Sequence, residues 1–354
     1  MTGATGTRRL RVGMSLSAHY SPGADVQSGL RDTMEQVALA EEMGLDTILL
    51  GHHYLTRSQF LQPVSTVAYL AARTERIRLG FGVYLLPLHN PLALAEEFAT
   101  LDHLSGGRLV VGLGTGYRSV EFRAFNVPEA ERFKRLEEYV EVIRALWAGE
   151  PVTKKGYFGE LDGARILLRP VRPEGPPLWL GAFGSVGMRR IARLDASWAV
   201  APNGTVAEVG QRMDDFRACL VEHGRPLDRD YPLLREGCIA PTRQAAIESC
   251  GRFLAEQYES YRGWEHGATL EDLIDGQAVI GSPDDAVERL SRYASLGYTD
   301  VVMRLQWTGM PQADVLRSIR LLGQEVIPAL ADVPVAQPAT AGRVNGTSEQ
   351  EVRA

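Results

Sequence analysis

Short apolar runs alternate with segments of helical spacing along most of this chain. From Arg11 to about Leu330, a run rich in branched apolar residues is followed by a stretch whose apolar residues recur three and four positions apart. This alternation is typical of βαβ units, in which a helix crosses over between two parallel strands. We take eight runs as strands: residues 11–17, 46–51, 77–86, 109–115, 177–183, 197–202, 231–240 and 300–307. Eight such units predict an α/β fold, a single (β/α)8 TIM barrel.

The ends of the helices are also visible in the sequence. Apolar residues from Phe133 to Trp147 lie on one face of a helix, and Gly149 stands where helices commonly end. A last helix that contains Ile319 is predicted to end at Pro328, because proline does not continue a helix. These helices are predicted to form the outer layer that packs on the sheet.

Two segments are longer than a minimal barrel needs. The insertion after the fourth strand, about residues 150–175, predicts a hairpin with extended pieces around 156–158 and 165–168. The insertion after the seventh strand, about residues 258–282, is either a lid over the site or a packed surface loop.

The termini differ in composition from the rest of the chain. Residues 332–354 are rich in Pro, Ala, Gly and polar residues and contain no aromatic residue, which predicts a disordered C-terminal tail. Residues 1–10 are likewise predicted to be disordered. Residues 11–331 are then the single barrel domain.

The composition excludes several classes of protein. The 354 residues are 45% hydrophobic and 23% charged, which is close to the average of soluble globular proteins. The net charge of −6 and the dispersed basic residues argue against a nucleic-acid partner. No apolar stretch reaches the roughly 18 residues of a membrane span, and Arg8-Arg9 is not followed by the apolar region of an export signal. We therefore expect a cytoplasmic protein that does not bind membranes.

The cysteines and histidines do not indicate a metal or disulfide site. Cys219, Cys238 and Cys250 are far apart in the chain, which fits a reducing compartment. Metal-dependent hydrolases of this architecture need several converging His and carboxylate ligands, commonly starting with a His-x-His pair. The chain has no such pair, and we expect no metal.

Polar residues at the carboxyl ends of the predicted strands are the candidates for a site, because barrel enzymes place their chemistry there. His52 and His53 follow the second strand, and imidazoles that titrate near neutral pH can transfer protons. The alternative is that both are ordinary loop histidines. The candidates for a partly aromatic substrate pocket are His19, Tyr20, Tyr84 and Trp307.

Glycine-rich segments follow or interrupt several strands. The glycines in 112–116 and 80–83 would let a flat ligand approach the strand ends closely. Residues 181–187 join the fifth strand to a helix that starts near Val186, and glycines with a serine at a helix N-terminus suit a phosphate group. The alternative role of Ser185 is that of a helix N-cap.

Four segments together resemble the bacterial luciferase-like flavin-dependent monooxygenases. They are Gly44-Leu-Asp-Thr-Ile-Leu-Leu-Gly-His-His-Tyr, Ile77-Arg-Leu-Gly-Phe-Gly-Val-Tyr-Leu-Leu-Pro-Leu-His-Asn-Pro, Leu104-Ser-Gly-Gly-Arg-Leu-Val-Val-Gly-Leu-Gly-Thr-Gly-Tyr and the turn from Gly181 to Ser185. The resemblance implies a barrel that binds FMN at the strand carboxyl ends, with a cis peptide bond between Gly82 and Val83. The cofactor-binding residues that it implies are Gly82, Val83, Thr115, Tyr117, Gly181, Ala182, Phe183, Gly184, Ser185 and Val186.

The same resemblance implies a reaction. The protein would take reduced FMN from a separate flavin reductase, react it with dioxygen to a flavin hydroperoxide and oxygenate a small organic substrate. His52 matches the family histidine that assists this chemistry, and His53 is the second candidate. A homodimer is also implied. Related proteins use a deazaflavin for hydride transfer, and one subunit of a luciferase-like pair can bind flavin without catalysis, so both alternatives stay open.

The chain departs from the luciferase pattern at three positions. Gly51 and Phe183 stand where luciferase has glutamates, and Thr115 stands where it has an arginine that contacts the phosphate. Phosphate binding is therefore expected to depend on the backbone amides of residues 184–186. The long-chain aldehyde substrate is not implied for this chain, and ketone, aldehyde, amine and aromatic substrates stay open.

Overall fold

A curled sheet of parallel strands forms the centre of the protein. The computed structural model describes residues 8–260 and 269–337. The strands in these ranges are β1 (Arg11–Leu16), β2 (His19–Tyr20), β3 (Thr47–Leu50), β4 (Gln59–Phe60), β5 (Arg78–Phe81), β6 (Tyr84–Leu85), β7 (Leu109–Gly114), β8 (Val152–Gly156), β9 (Gly159–Ala164), β10 (Leu178–Gly181), β11 (Ser197–Ala199), β12 (Pro232–Ile239), β13 (Val279–Gly281) and β14 (Asp300–Arg304). The parallel strands follow the order β11-β10-β7-β5-β3-β1-β14-β12-β13, and β6 pairs with β7. Each of the eight predicted runs contains a strand, so the predicted parallel α/β architecture is confirmed.

Helices connect most of these strands. They are α1 (Val26–Glu42), α2 (Pro63–Ala71), α3 (Pro91–Leu104), α4 (Ser119–Ala124), α5 (Arg132–Ala148), α6 (Gly184–Arg193), α7 (Val206–Glu222), α8 (Arg243–Ser260), α9 (Leu270–Gly276), α10 (Pro283–Ser295), α11 (Gln312–Leu321) and α12 (Ile327–Ala329). Helix α5 ends at Gly149, which adopts a left-handed conformation with φ 81°, as predicted. The prediction that the last helix ends at Pro328 is wrong. Pro328 lies in the first turn of α12, where its missing N–H is tolerated.

The strands are buried on both faces because side chains alternate between two packing layers. In β3, Ile48 and Leu50 belong to the large core cluster, whereas Leu49 packs with Val110, Trp179, Ala199 and Val302. These five residues come from five different strands of the curled sheet. Such alternation of layers is what parallel strands covered by helices require, and it explains why their sequences read as continuous apolar runs.

The third predicted run is not one strand. It divides into β5 and β6, and the peptide bond between them, Gly82–Val83, is cis, as the family resemblance predicted. A short 3-10 helix, Leu86–Leu88, follows β6. The chain thus leaves the line of β5 and reaches the carboxyl end of β7, where Tyr84 lies beside Leu113.

The two predicted insertions are described to different extents. Strands β8 and β9 form an antiparallel hairpin whose turn lies at residues 157–158, although an extended piece was expected there. Gly159, at φ 106°, opens the return strand. In the second insertion, α9 and the unpredicted β13 are present, and residues 261–268 lie outside the described residues. The expected lid falls partly on that segment.

Parts of both terminal segments that were expected to be disordered pair with each other. Arg9 and Pro334 form an antiparallel bridge, and the Val335 amide donates to the Arg8 carbonyl at 3.0 Å. Leu10 is buried in the core. Residues 1–7 and 338–354 lie outside the described residues. Within the described ranges, no helix combines the length and apolar character needed to cross a bilayer.

Candidate functional site

His52 lies directly beyond the end of β3 and is buried. Its Nδ1 accepts a hydrogen bond from the Leu85 amide at 3.2 Å, so in the neutral ring the proton is on Nε2, which donates to Gln62 Oε1 at 3.0 Å. The Tyr84 ring stacks on it, with centroids 4.2 Å apart. Burial, reinforced by the neighbouring His89, lowers the pKa of His52 to about 3. His52 is therefore neutral, and both of its ring nitrogens are engaged.

His53 has a different environment. Its Nδ1 lies 3.0 Å from Glu121 Oε1, and its side chain is 29% exposed. The same carboxylate oxygen accepts from the Tyr54 amide at 2.9 Å and from Arg118 Nη1 at 3.0 Å. Burial raises the pKa of Glu121, but hydrogen bonds from His53 and Tyr54 outweigh it, and the net pKa is lowered. An ionised Glu121 thus accepts from a protonated Nδ1 of His53, which leaves Nε2 as the acceptor nitrogen of the neutral ring.

Glu121 was not among the residues predicted from the sequence. It lies on α4, 68 residues from His53, and its side chain is fully buried. The sequence feature that could have indicated Glu121 is its position next to apolar Phe122, shortly after the fourth predicted strand. Sequence spacing gave no means of pairing it with a particular histidine.

Tyr84 belongs to a buried aromatic cluster and not to an open pocket. It is 4% exposed and packs against His52, Phe81 and His89. His89, another unpredicted residue, lies 3.4 Å from the Tyr54 hydroxyl through Nε2. Burial lowers the pKa of His89 to about 4. The structure therefore separates Tyr84 from the other three predicted substrate residues.

His19, Tyr20 and Trp307 come together at the carboxyl ends of β1 and β14. They line an open cavity of about 400 Å³. Pairing of β2 with β4 places the His19 ring parallel to Phe60, with centroids 5.8 Å apart. Burial and the nearby Arg304 lower the pKa of His19. The cavity also contains Asp25 and Asp32, which were not predicted as site residues.

The turn after β10 leads directly into α6. Phe183 occupies the N-cap position without a side-chain hydrogen bond, and Ser185 lies inside the first turn. Ser185 is therefore not the N-cap that the alternative interpretation required. Phe183 and Val186 are 59% and 70% exposed. The first amides of α6 thus have no side-chain cap, and these amides have no partner within their own helix.

The glycines in and beside the strands differ in the space around them. A Cβ at Gly80 or Gly112 would collide with the backbone carbonyl of Val110 or Phe81, so these glycines allow neighbouring strands to approach, contrary to the expected ligand contact. A Cβ at Gly51 or Gly184 would meet nothing within 4 Å. Open space therefore lies beside the end of β3 and at the start of α6.

The remaining predicted residues lie along the same edge of the sheet. Thr115 and Tyr117 follow β7, and Tyr117 makes an edge contact with the His53 ring, with centroids 5.7 Å apart. Gly181 ends β10, and the Ala182 carbonyl accepts from Trp198 Nε1 at 3.1 Å. The Val83 side chain packs against Gly181. A Cβ at Gly181 would lie 3.3 Å from Val83 Cγ1. Among residues 8–260 and 269–337, no three His, Cys, Asp or Glu side chains gather as a metal site would need.

Imidazoles, glycines that face open space and an uncapped helix lie at the carboxyl edge of the parallel sheet, where enzymes of this architecture place their active sites. Residues 10–300 match the family model described as luciferase-like monooxygenase. The chain therefore belongs to the luciferase-like monooxygenase family, and the predicted family membership is confirmed.

Individual relatives include oxygenases and deazaflavin enzymes. The chain is 31% identical over 308 residues to 4-hydroxyprotoasukamycin monooxygenase of Streptomyces nodosus subsp. asukaensis, covering 79% of this chain and 81% of the relative. It is 30% identical over 335 residues to F420-dependent glucose-6-phosphate dehydrogenase of Microbacterium testaceum, covering 86% and 94%. The protein is accordingly an oxidoreductase of this family.

A solved structure shows the same fold. It is the oxygenating constituent of 3,6-diketocamphane monooxygenase from Pseudomonas putida in complex with FMN, which superimposes with a TM-score of 0.75. The match covers 90% of this chain and 98% of that chain at 18% identity. At this identity the likeness concerns the fold alone.

Proposed function

We propose that this protein is a monooxygenase that takes reduced FMN from a separate flavin reductase and uses dioxygen to oxygenate a small organic substrate, as a homodimer. The observation that carries the proposal is the Glu121-oriented His53 at the carboxyl edge of the sheet, beside the open space at Gly51. Monooxygenase relatives and an FMN-bound neighbour of the same fold support it.

The residues fit a flavin with a phosphate. The open sides of Gly51 and Gly184 leave room for a flat group and an anion, and the exposed apolar side chains of Phe183 and Val186 flank the start of α6. The uncapped amides of residues 184–186 would hold the phosphate, aided by the helix dipole. Gly82, Val83, Thr115, Tyr117, Gly181 and Ala182 would contact the rest of the cofactor.

We also infer that the curled sheet closes into an eight-stranded barrel. Val200, just beyond β11, donates to the Pro232 carbonyl at 3.1 Å and accepts from the Leu234 amide at 2.9 Å. These bonds support a junction of β11 with β12, and β12 already pairs with β14. A closed barrel would bring the carboxyl ends of all eight strands around one mouth.

In this proposal the two histidines have different roles. Reduced FMN supplies the two electrons with which one oxygen atom of dioxygen enters the substrate and the other leaves as water. His53 is the proton-transfer group, because Glu121 holds its Nδ1 proton and its Nε2 makes no hydrogen bond to a described residue. His52 is a positioning residue, which holds the Leu85 amide and thereby the turn that contains Gly82 and Val83.

The second candidate is a deazaflavin-dependent oxidoreductase on the same fold. A relative of this chemistry at 30% identity over 94% of its length favours it specifically. In that case the same edge of the sheet would hold the deazaflavin. His53 would transfer the proton that accompanies hydride transfer, and dioxygen would not take part. A flavin-binding subunit without catalysis is the third alternative.

Binding and oxygen chemistry can be tested together. The protein is titrated anaerobically with photoreduced FMN and, in parallel, with reduced F420, and each mixture is then mixed rapidly with aerated buffer while absorbance is recorded. We expect tight binding of reduced FMN and an altered course of its reaction with oxygen relative to free flavin. Preference for F420 with no oxygen reaction would establish the second candidate. Binding without turnover over a broad substrate panel, with reductase supplied, would favour the third.

A further inference from the structure

The cavity at the ends of β1 and β14 has an unusual combination of groups. Its wall contains the aromatic rings of Tyr20 and Trp307, and its rim contains the carboxylates of Asp25 and Asp32. Within the described part of the chain, no lysine or arginine lines it. Aromatic faces together with carboxylates are the surroundings that favour an organic cation.

Of the two carboxylates of this cavity, only Asp25 has an ion-pair partner among the described residues. Asp32 is exposed, and only its backbone carbonyl is used, by Gln312 Nε2 at 3.0 Å. Asp25 caps α1 by accepting from the Gln27 amide at 3.0 Å, and Arg31 lies 3.9 Å away on the exposed side.

The basic groups near this cavity are either neutral or paired with a carboxylate. Burial lowers the pKa of His19, so its ring is neutral at physiological pH. The nearby Arg304 is paired with Glu236, to which its Nε donates at 2.8 Å. The described lining of the cavity thus has two carboxylates and no lysine or arginine side chain.

One polar group in the cavity wall lacks a partner. Trp307 is 2% exposed, and its indole Nε1 has no hydrogen-bond acceptor among the described residues. Buried donors are nearly always paired, so this N–H lacks an acceptor that the described residues do not supply.

The opposite wall is held in place. The Tyr20 hydroxyl is 3.0 Å from Thr33 Oγ1, and its ring packs on Gly29, where a Cβ would collide with it. A fixed aromatic wall suits the apolar body of a ligand whose shape it matches.

We propose that this cavity binds an organic ammonium ion with an apolar body, held by Asp32 at its charged end, and that such amines are the substrate class of the enzyme. The substrate role rests on the proposed function. The cavity adjoins the proton-transfer group, since Phe60 stacks on His19 and lies edge-on to the His53 ring, with centroids 6.2 Å apart. Carboxylate and phosphate substrates are disfavoured by the same charges.

Binding can be measured without any cofactor. Isothermal titration compares three probes of similar shape: 2-phenylethylammonium, neutral 2-phenylethanol and anionic 3-phenylpropionate. We expect the ammonium to bind about tenfold more tightly than the alcohol at low salt, with weakening as salt is added, and the anion not to bind. Asp32→Asn should reduce the ammonium affinity to that of the alcohol. Asp162→Asn, which removes an exposed carboxylate on the β8–β9 hairpin, should change nothing.

A second readout tests the substrate role. With reduced FMN and oxygen, amine substrates should show a raised KM and a nearly unchanged kcat in Asp32→Asn. Equal affinity for the three probes, or no effect of Asp32→Asn on binding, would overturn the cavity proposal and leave the flavin proposal standing. Failure to bind reduced FMN, together with Asp32-dependent ammonium binding, would overturn the proposed function and leave the cation site. An Asp32 effect on binding without one on KM would overturn the substrate role.

Discussion

The two ends of the curled sheet use polar residues in opposite ways. At the amino end, the Asp300 carboxylate is 1% exposed and lies between the guanidinium groups of Arg11 and Arg78, with Arg11 Nε donating at 2.8 Å. Asp230 pairs with Arg11 as well, and the Thr299 hydroxyl donates to Asp300 at 2.6 Å. Polar atoms of this cluster are matched to one another.

At the carboxyl end, several groups retain binding capacity. His53 Nε2 and Trp307 Nε1 make no hydrogen bond to described residues, and the first amides of α6 have no side-chain cap. Both ends belong to the same strands. Because these strands are parallel, all their carboxyl ends lie on one side of the sheet. The amino end therefore has matched charges, whereas the carboxyl end keeps polar groups without a described partner, as is typical of barrels whose amino end serves stability and whose carboxyl end serves function.

The largest effect is expected from breaking the amino-end cluster. Asp300→Asn should lower the free energy of unfolding by about 3 kcal/mol, because the half-buried guanidinium groups of Arg11 and Arg78 lose the buried carboxylate between them and keep only Asp230. Urea denaturation measures this change, with the exposed Asp162→Asn as control. Affinity for reduced FMN in the remaining folded protein should not change. A loss of stability below about 1 kcal/mol would mean that the cluster behaves like a surface ion pair.

At the carboxyl end, removal of the proton-transfer group should affect activity and not stability. His53→Ala is expected to reduce the rate of substrate oxygenation about 100-fold, within the usual range for general acid–base groups. Glu121→Gln should reduce it less and should shift the pH profile, since the amide still accepts from Nδ1 but no longer stabilises a protonated ring. Steady-state rates across pH measure both effects, and His223→Ala is the control imidazole. Full activity in His53→Ala would contradict this role for His53 and favour His52 as the proton-transfer group.

Acid should destabilise the protein through buried His52. Its folded pKa of about 3 lies below the unfolded value of 6.5, so the unfolded chain binds the proton first as pH falls. The stabilisation is present above pH 6.5 and is lost progressively toward pH 3. For one such group the loss is about 2 kcal/mol between pH 6.5 and 5. Urea midpoints at these pH values should fall less in His52→Asn, and equal pH dependence in the two proteins would contradict the proposed cause.

The smallest effect is expected at the start of α6. Ser185→Asp should weaken binding of reduced FMN about tenfold by placing a negative charge against the phosphate, whereas Ser185→Ala should bind as the wild type does because the amides are unchanged. Equilibrium dialysis at low salt distinguishes the two. Equal affinity in the aspartate variant would move the phosphate to another part of the carboxyl end.

Much of the architecture was predictable from local patterns. The eight apolar runs and the stop at Gly149 follow from side-chain periodicity and from backbone preferences that act within a few residues. The third run was predicted as one strand, and only the cis peptide bond within it was implied by the family resemblance. The hairpin turn was misplaced by a few residues, because both flanking stretches have extended character.

The site was less predictable, since its members are distant in the chain. The pair formed by Glu121 and His53 spans 68 residues, and the cavity joins α1 to the end of β14. Tyr84 and Tyr20 were both predicted to line the substrate pocket, yet Tyr84 is enclosed by an aromatic cluster and Tyr20 lines a cavity.

Local chain chemistry was thus sufficient to predict a parallel α/β fold with two histidines at a strand end, and the resemblance to a known family implied an oxidoreductase. It did not establish which nitrogen of each histidine is occupied, which carboxylate orients His53, or that two aspartates face an aromatic wall. Those features depend on strand order and register, which bring distant residues within 3 Å of one another, and hydrogen bonding and desolvation change steeply over that distance. The chemical character of His52 and His53 therefore diverges although the two residues are adjacent in sequence.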